Sequence, residues 1–442
     1  MKLILNVILL TLLISCSFDN RSGIWKNINE ADLDVDERFK DFESLYTQQK
    51  SFNEIKESSN NFEPKLEKVV ENLKWRDEFY QASNKYDNFS YRNINAVIFK
   101  SKKLSKHVIN KKILFDGDNV ISTDVKGNIT IYSVNSQKIF FKFNFYKKKY
   151  KKIKKSLNII LEDNIIYVTD NLGYLYSISY KEKKILWAQN YKKPLRSNLK
   201  IYKNKLFFSD QDNLMYIVNK LNGEKIKILP TEEVTLKNNF INSLTIDKDQ
   251  LFYLNNFGSL YSISPVTNTL NWFINLNQSL DLNTSNLFYS NPLVLSKDHI
   301  FIATDPYLYI VGKKNGSTLI KKNITSVVTP IVSANNLFLI TKNNLLVSMN
   351  TKSGKINFSV DISQKIANFL KTKNKKSINV KSLSLVNNRL FIFLKNSYVV
   401  QFNANGKILQ IEKLPVKLNT DPIFINNSIL YLDNKNRLAI VD

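Results

Sequence analysis

The chain has one cysteine, Cys16, in 442 residues, which excludes an internal disulfide. It has only 9 Pro and 10 Gly, so its turns must lean on Asn and Asp, which reach positive φ more cheaply than other residues with a side chain. It has 7 Arg against 57 Lys. A formal charge of +26 invites a nucleic-acid reading. Readers of phosphate and base edges favour arginine for its planar fork, however, so this balance argues against nucleic acid. A general attraction to anionic membrane surface fits a lysine excess better. The two histidines, His107 and His299, stand apart with no metal-ligand spacing. No Gly-rich phosphate loop and no nucleophile elbow occurs. What is abundant is aromatic: 28 Phe and 21 Tyr, a composition that favours strands.

Charge is also uneven along the chain. Residues 17–92 carry 16 acidic and 12 basic side chains, a net of −4. Residues 93–442 carry 22 and 51, a net of +29. The first stretch is therefore expected to be a separate unit. Within it Phe39, Phe42 and Tyr46 fall at helical spacing, as do Leu66, Val69, Val70 and Leu73 after Pro64. The expectation is a tether over 16–92, partly helical or disordered.

The chain opens "MKLILNVILLTLLISCS". One lysine precedes an apolar run too short for a confident membrane span, the pattern of a signal peptide over 1–15. Leu13-Ile14-Ser15-Cys16 resembles the bacterial lipobox. Lipidation of Cys16 would explain why a secreted chain carries a single cysteine, and several acyl chains would anchor it durably to a membrane.

From residue 118 onward one motif returns. "YLYSISY" at Tyr174, "LMYIVNK" at Leu214, "SLYSISP" at Ser259 and "YLYIVGK" at Tyr307 are four of eight copies. The central residues are Tyr132, Tyr176, Tyr216, Tyr261, Tyr309, Val347, Val399 and Ala439. Each copy has a second apolar run upstream across an Asp/Asn/Gly turn, and most have a third strand after the next turn. Four short antiparallel strands repeated at this period are propeller blades. The predicted class is all-β, an eight-bladed β-propeller over 93–442. The last copy stops at Asp442 without its fourth strand. "NAVIFKS" at Asn95 is predicted to supply it, removing two exposed strand edges.

The combination of a lipobox, eight bare blades and "NLGYLYSI…W" character resembles the pyrroloquinoline-quinone-like propellers. Among them it is most similar to the propeller lipoproteins of the outer-membrane β-barrel assembly machinery, over roughly 75–442. The family's blade-docking Trp is matched by Trp187 and Trp272; Phe358 fills the place in another blade, and Ile320, Lys227 and Gln410 fall there in others. The resemblance implies a scaffold without catalytic or metal residues and without a cofactor. It implies lipid anchorage to the outer membrane, facing the periplasm, with the barrel-forming assembly protein and nascent outer-membrane proteins as partners. Leu195 and Arg196, after Trp187, match a partner-contacting Leu-Arg pair of the family by type and place. The family's acidic contacts in the next inter-blade loop have no clean counterpart; Glu232 and Glu233 lie in that loop and are carried as candidates. The alternatives are a quinone-dependent dehydrogenase, against which stand the short turns and the absence of an adjacent cysteine pair, and a general surface-binding propeller. Two lysine-bearing stretches, "YKKKYKKIKKS" at Tyr146 and residues 364–381, interrupt the repeat.

Overall fold

A computed structural model describes residues 16–18, 25–27, 52–232, 241–277, 287–372 and 377–442. The chain divides into two compact units, Met1–Gln49 and Lys50–Asp442. In the first, Cys16–Phe18 pairs antiparallel with Trp25–Asn27. Phe39, Phe42 and Tyr46 lie outside the described residues.

The second unit is a ring of eight sheets, each built on four antiparallel strands. The first strands of the blades lie nearest the axis. They are Leu114–Asp116, Leu157–Glu162, Lys200–Tyr202, Ser243–Asp247, Val294–Leu295, Ile331–Ser333, Val380–Val386 and Ile423–Ile425. First strands of blades 3 and 4, 4 and 5, and 6 and 7 touch one another. Burial follows from this order. The second and third strands are apolar and covered on both faces: Ile166, Val168, Leu175, Tyr176 and Ile178 in blade 2 are fully buried. The outermost strands are the most exposed: in Lys184–Asn190 only Trp187 is partly buried.

The scarce glycine is compensated by Asx turns. Asp124, Asp170, Asp210, Asn255 and Asp433 each begin the turn between the second and third strands. In each, one side-chain oxygen accepts backbone N–H groups two and four residues on, at 2.8–3.1 Å. The short side chain fixes a tight turn without a left-handed glycine at its first position.

Where glycine does occur, it makes room for the neighbouring blade. Trp187 of blade 2 lays its ring on Gly223 of blade 3, and its Nε1–H donates to the Lys220 carbonyl at 3.0 Å. Trp272 repeats this on Gly316, donating to the Lys313 carbonyl at 3.1 Å. Phe358 covers Gly406 and Ile320 covers Gly354 in the same way. Lys227 instead donates to the Asn268 carbonyl of blade 4 at 2.8 Å. The docking position is thus kept by geometry even where the indole is lost.

Val97–Lys103 lies antiparallel beside Arg437–Val441 as the fourth strand of blade 8. The segment before it is packed within the ring unit. Residues 52–56 run along the outer strand of blade 6, with Lys56 and Ser359 exchanging backbone hydrogen bonds at 2.8 Å. Phe62 and Leu66 then pack on the core between blades 6 and 7. The helix expected from Leu66, Val69, Val70 and Leu73 does not form. Val69–Val70 is a strand parallel to Asn88–Phe89, which is parallel in turn to Leu385–Val386 of blade 7. Val69 is 40% and Leu73 57% exposed, so the apolar stripe is not a buried face. The unpaired inner edge of the blade outcompetes a short helix, whose nucleation is costly. One α-helix occurs among the described residues, Ile362–Phe369, in the insertion after blade 6. Asp361 caps it, accepting from the Gln364 amide at 3.0 Å.

The blade-docking geometry gives a direct test. Gly223 has φ +74° and a Cβ there would lie 2.5 Å from Trp187, whereas Gly117 has φ +61° with nothing within 4 Å. Gly117→Ala should cost about 1–2 kcal/mol from backbone strain alone. Gly223→Ala should cost that plus about 1–3 kcal/mol of overpacking, read from urea midpoints. Measured in a Trp187→Ala background, Gly223→Ala should cost only the backbone-strain part.

Candidate functional site at the ring axis and the inter-blade loops

The first strand of each blade leaves one edge of backbone donors and acceptors facing the axis, and the chain supplies partners itself. Residues 65–92 make hydrogen bonds to all eight blades. Lys74–Trp75 pairs with Phe115–Asp116 of blade 1. The Arg76 carbonyl accepts from Leu161 N at 2.9 Å, and a Glu78 carboxylate oxygen accepts from Ile159 N at 2.9 Å, both in blade 2. Ala82 and Ser83 carbonyls accept from Ile246 N of blade 4 and Leu295 N of blade 5 at 2.9 and 3.0 Å. Asn84 Nδ2 bridges the Leu244 and Leu293 carbonyls at 3.0 and 2.9 Å. Glu67 N donates to Ser333 Oγ of blade 6 at 2.8 Å. Asn88–Phe89 extends blade 7, and the Asn72 carbonyl accepts from Asn426 N of blade 8 at 2.9 Å.

Blade 3 is held by a charge. Lys200 is fully buried; its Nζ donates to Asp77 Oδ2 and Asn84 Oδ1, both at 2.6 Å, and to the Gln81 carbonyl at 3.1 Å. Around the axis Trp75, Phe89 and Tyr91 are buried, and Phe89 stacks on Phe424 with ring centroids 5.2 Å apart. Sequence patterns do not announce this plug, since backbone groups and scattered polar residues make most of its bonds.

The plug leaves an open cavity of about 500 Å³ at one end of the axis, floored by Phe79 and Tyr86. Lys111, Lys112, Lys381 and Asp421 line it. Lys112 Nζ lies 3.0 Å and Lys381 Nζ 3.5 Å from the Asp421 carboxylate. Burial opposes ionisation of Asp421, yet the neighbouring Lys112 and Lys381 ammonium groups hold it below its ordinary value. These residues come from blades 1, 7 and 8, and no local motif marks them.

The residues singled out from the sequence occupy the connections between blades 2 and 3 and between blades 3 and 4. Leu195 is 2% exposed and packs with Tyr191, Phe208 and Tyr216. Its amide donates to the Asp170 carbonyl at 3.0 Å. It offers no side-chain surface to a partner. Arg196 is half-buried beside a small cavity with Asn158 and Asn171, and burial lowers its pKa. Glu232 is also half-buried. Burial raises its pKa, but donation from Tyr261 Oη at 2.6 Å, Ser259 Oγ at 2.7 Å and Asn255 Nδ2 at 3.0 Å outweighs this and leaves it below the usual carboxylate range. Glu233 lies outside the described residues. The two connections are joined: Asn213 Nδ2 donates to the Glu232 carbonyl at 3.1 Å, Asn242 Nδ2 donates to Asn213 Oδ1 at 3.0 Å, and Asn242 N donates to the Arg196 carbonyl at 2.8 Å. Among the described residues no cluster of His, Cys, Asp and Glu is placed to hold a metal ion, and no helix is long and apolar enough to cross a membrane.

A family model described as outer membrane protein assembly factor BamB matches residues 125–360, more than half of the chain. The chain belongs to the BamB family. BamB from Moraxella catarrhalis superposes with a TM-score of 0.62 at 11% identity, covering 78% of this chain and 99% of that one. Quinohemoprotein alcohol dehydrogenase from Comamonas testosteroni matches with a TM-score of 0.63 at 10% identity, covering 84% and 81%. The computationally designed Ika8 protein matches with 0.58 at 12% identity, covering 78% and 99%. At such identities these structures share the fold alone. No curated protein matches the chain by sequence.

Two buried ionisable groups, Lys200 and Glu78, fix the plug of this BamB-family ring, and each can be tested. Lys200→Met leaves the Asp77 carboxylate buried without its cation. It should cost about 3–5 kcal/mol, and Asp77→Asn in the same chain should restore much of it; denaturant midpoints decide. Burial pushes Glu78 up to about 8, against the opposing Ile159 N–H. The folded state then holds this proton more tightly than the unfolded chain, so stability contributed by protonated Glu78 is present below the ordinary carboxylate range. It is lost as pH rises towards about 8. Glu78→Gln should flatten that decline and stabilise the ring at pH 8; an unchanged pH profile would count against it.

Proposed function

We propose that this chain is a non-catalytic scaffold of the outer-membrane β-barrel assembly machinery. It binds the barrel-forming assembly protein and aids insertion of nascent outer-membrane proteins. A lipid on Cys16 holds it to the outer membrane, on the periplasmic side, after removal of residues 1–15. The family match over residues 125–360 carries this reading. The axial segment supports it: the chain's own residues 65–92 occupy the centre of the ring, which leaves the rim and loops as the larger working surface. Two rim features suit protein partners. Apart from that of blade 6, which Lys56 bridges at Ser359, the outermost strands present an edge open to strand addition. The connection at Arg196 presents a half-buried guanidinium, suited to a carboxylate at an interface, with Leu195 as the buried wedge that positions it. Glu232, whose carboxylate is held by Tyr261, Ser259 and Asn255, and Glu233, next to it in sequence, are the acidic candidates of the adjoining connection.

Affinity capture of the full chain from detergent-solubilised envelope is expected to recover the barrel-forming protein. Arg196→Ala should reduce recovery at least tenfold with the melting temperature unchanged. Leu195→Ala is not a clean probe, because emptying a buried leucine site costs about 2–5 kcal/mol. Added pyrroloquinoline quinone with calcium should give no dye-linked dehydrogenase activity. Recovery of no assembly component, or quinone-dependent turnover, would overturn the proposal.

A further inference from the structure

The cavity above the plug combines two kinds of surface. At its mouth stand Ile241, Tyr289 and Val327, which are 55%, 53% and 43% exposed. Deeper in the wall, one carboxylate serves two ammonium groups: Asp421 lies between Lys112 and Lys381. Lys112 also sits 4.9 Å from the centre of the Phe79 ring, and Lys381 donates to the Asn419 carbonyl at 2.8 Å. Lys111 is exposed at the same wall and forms no close ion pair among the described residues, though its charge also acts on Asp421; its backbone carbonyl accepts from Asp421 N at 2.9 Å. Three lysines against one aspartate leave the wall with two positive charges in excess. Burial and the nearby lysines disfavour the charged form of Lys381 despite the attraction of Asp421, a cost that an incoming anion would relieve.

A lone inorganic anion would use the lysines and leave the apolar mouth idle. A neutral apolar ligand would do the reverse. We propose that this cavity binds an organic carboxylate with an aromatic or aliphatic body. The carboxylate sits between Lys111 and Lys381, and the body lies against Ile241, Tyr289 and Val327. A cavity of about 500 Å³ suits a ligand of this kind. The same chemistry is offered by a free small acid and by the C-terminal end of a peptide with an apolar last residue.

Calorimetric titration of the full chain separates these sources. The probes are 3-phenylpropionate, 3-phenylpropanol, and an acetylated Ala-Ala-Phe peptide with either a free carboxylate or a C-terminal amide. At least one carboxylate probe should bind, and its uncharged counterpart should bind at least tenfold more weakly. Binding of 3-phenylpropionate alone points to a free acid, and binding of the peptide acid points to a chain end. Lys111→Gln/Lys381→Gln should weaken binding at least tenfold, and Ile241→Ser several-fold. Lys111→Gln alone, at an exposed position, serves if the double variant fails to fold. No binding at millimolar probe, equal binding of acid and amide, or affinity untouched by both Lys111→Gln and Ile241→Ser would overturn the proposal.

Discussion

The ring depends on what its inner strand edges pair with. Eight short sheets arranged around an axis each turn one edge inward, and an unpaired edge in a restricted space is costly because its donors and acceptors are cut off from water. Residues 65–92 answer that constraint. They bring carbonyls to Leu161, Ile246, Leu295 and Asn426, an amide to Ser333, and short strands to blades 1 and 7. Each such bond contributes only about 1 kcal/mol net, but each one withheld would leave a buried group unsatisfied. Val97–Lys103 closes the ring in continuity with this segment. One stretch of chain therefore both fills the centre and zips the first blade to the last.

The side chains reinforce that arrangement without dictating it. Lys200 reaches the plug through Asp77 and Asn84, and Glu78 caps the Ile159 amide. Between blades, indoles or smaller apolar groups lie on glycines that only a left-handed backbone could place there. These contacts are local and repeat around the ring, so loss of an indole at one seam, as at Ile320, is tolerated at the others.

Much of this was legible in the sequence, and the reason is periodicity. Apolar strands separated by Asp/Asn turns recur eight times, and Tyr176, Tyr216 and Tyr261 all fall on third strands. Trp187 and Trp272 mark seams that the structure confirms. The plug was not legible. Its apolar residues at 66, 69, 70 and 73 mimic a helical stripe, while its binding is carried by backbone groups that leave no mark in side-chain pattern. Leu195 illustrates a second limit: a residue type in the right loop does not reveal which way it faces, and here it turns into the core. The basic axial cavity was hidden because its members lie far apart in sequence and meet only when the ring closes.

The chain belongs to the BamB family, its own residues 65–92 fill the centre of the ring, and a small basic cavity lies at one end of the axis. Residues 65–92 are an integral layer of the ring. Native-state hydrogen exchange at the Leu161, Ile246 and Leu295 amides tests it most directly. These amides donate to the plug, so they should exchange only with global unfolding, as slowly as the mid-blade amides of Val168 and Phe252. Exchange at the rate of a surface loop, with the mid-blade amides still protected, would show that the plug leaves the axis and would contradict the account.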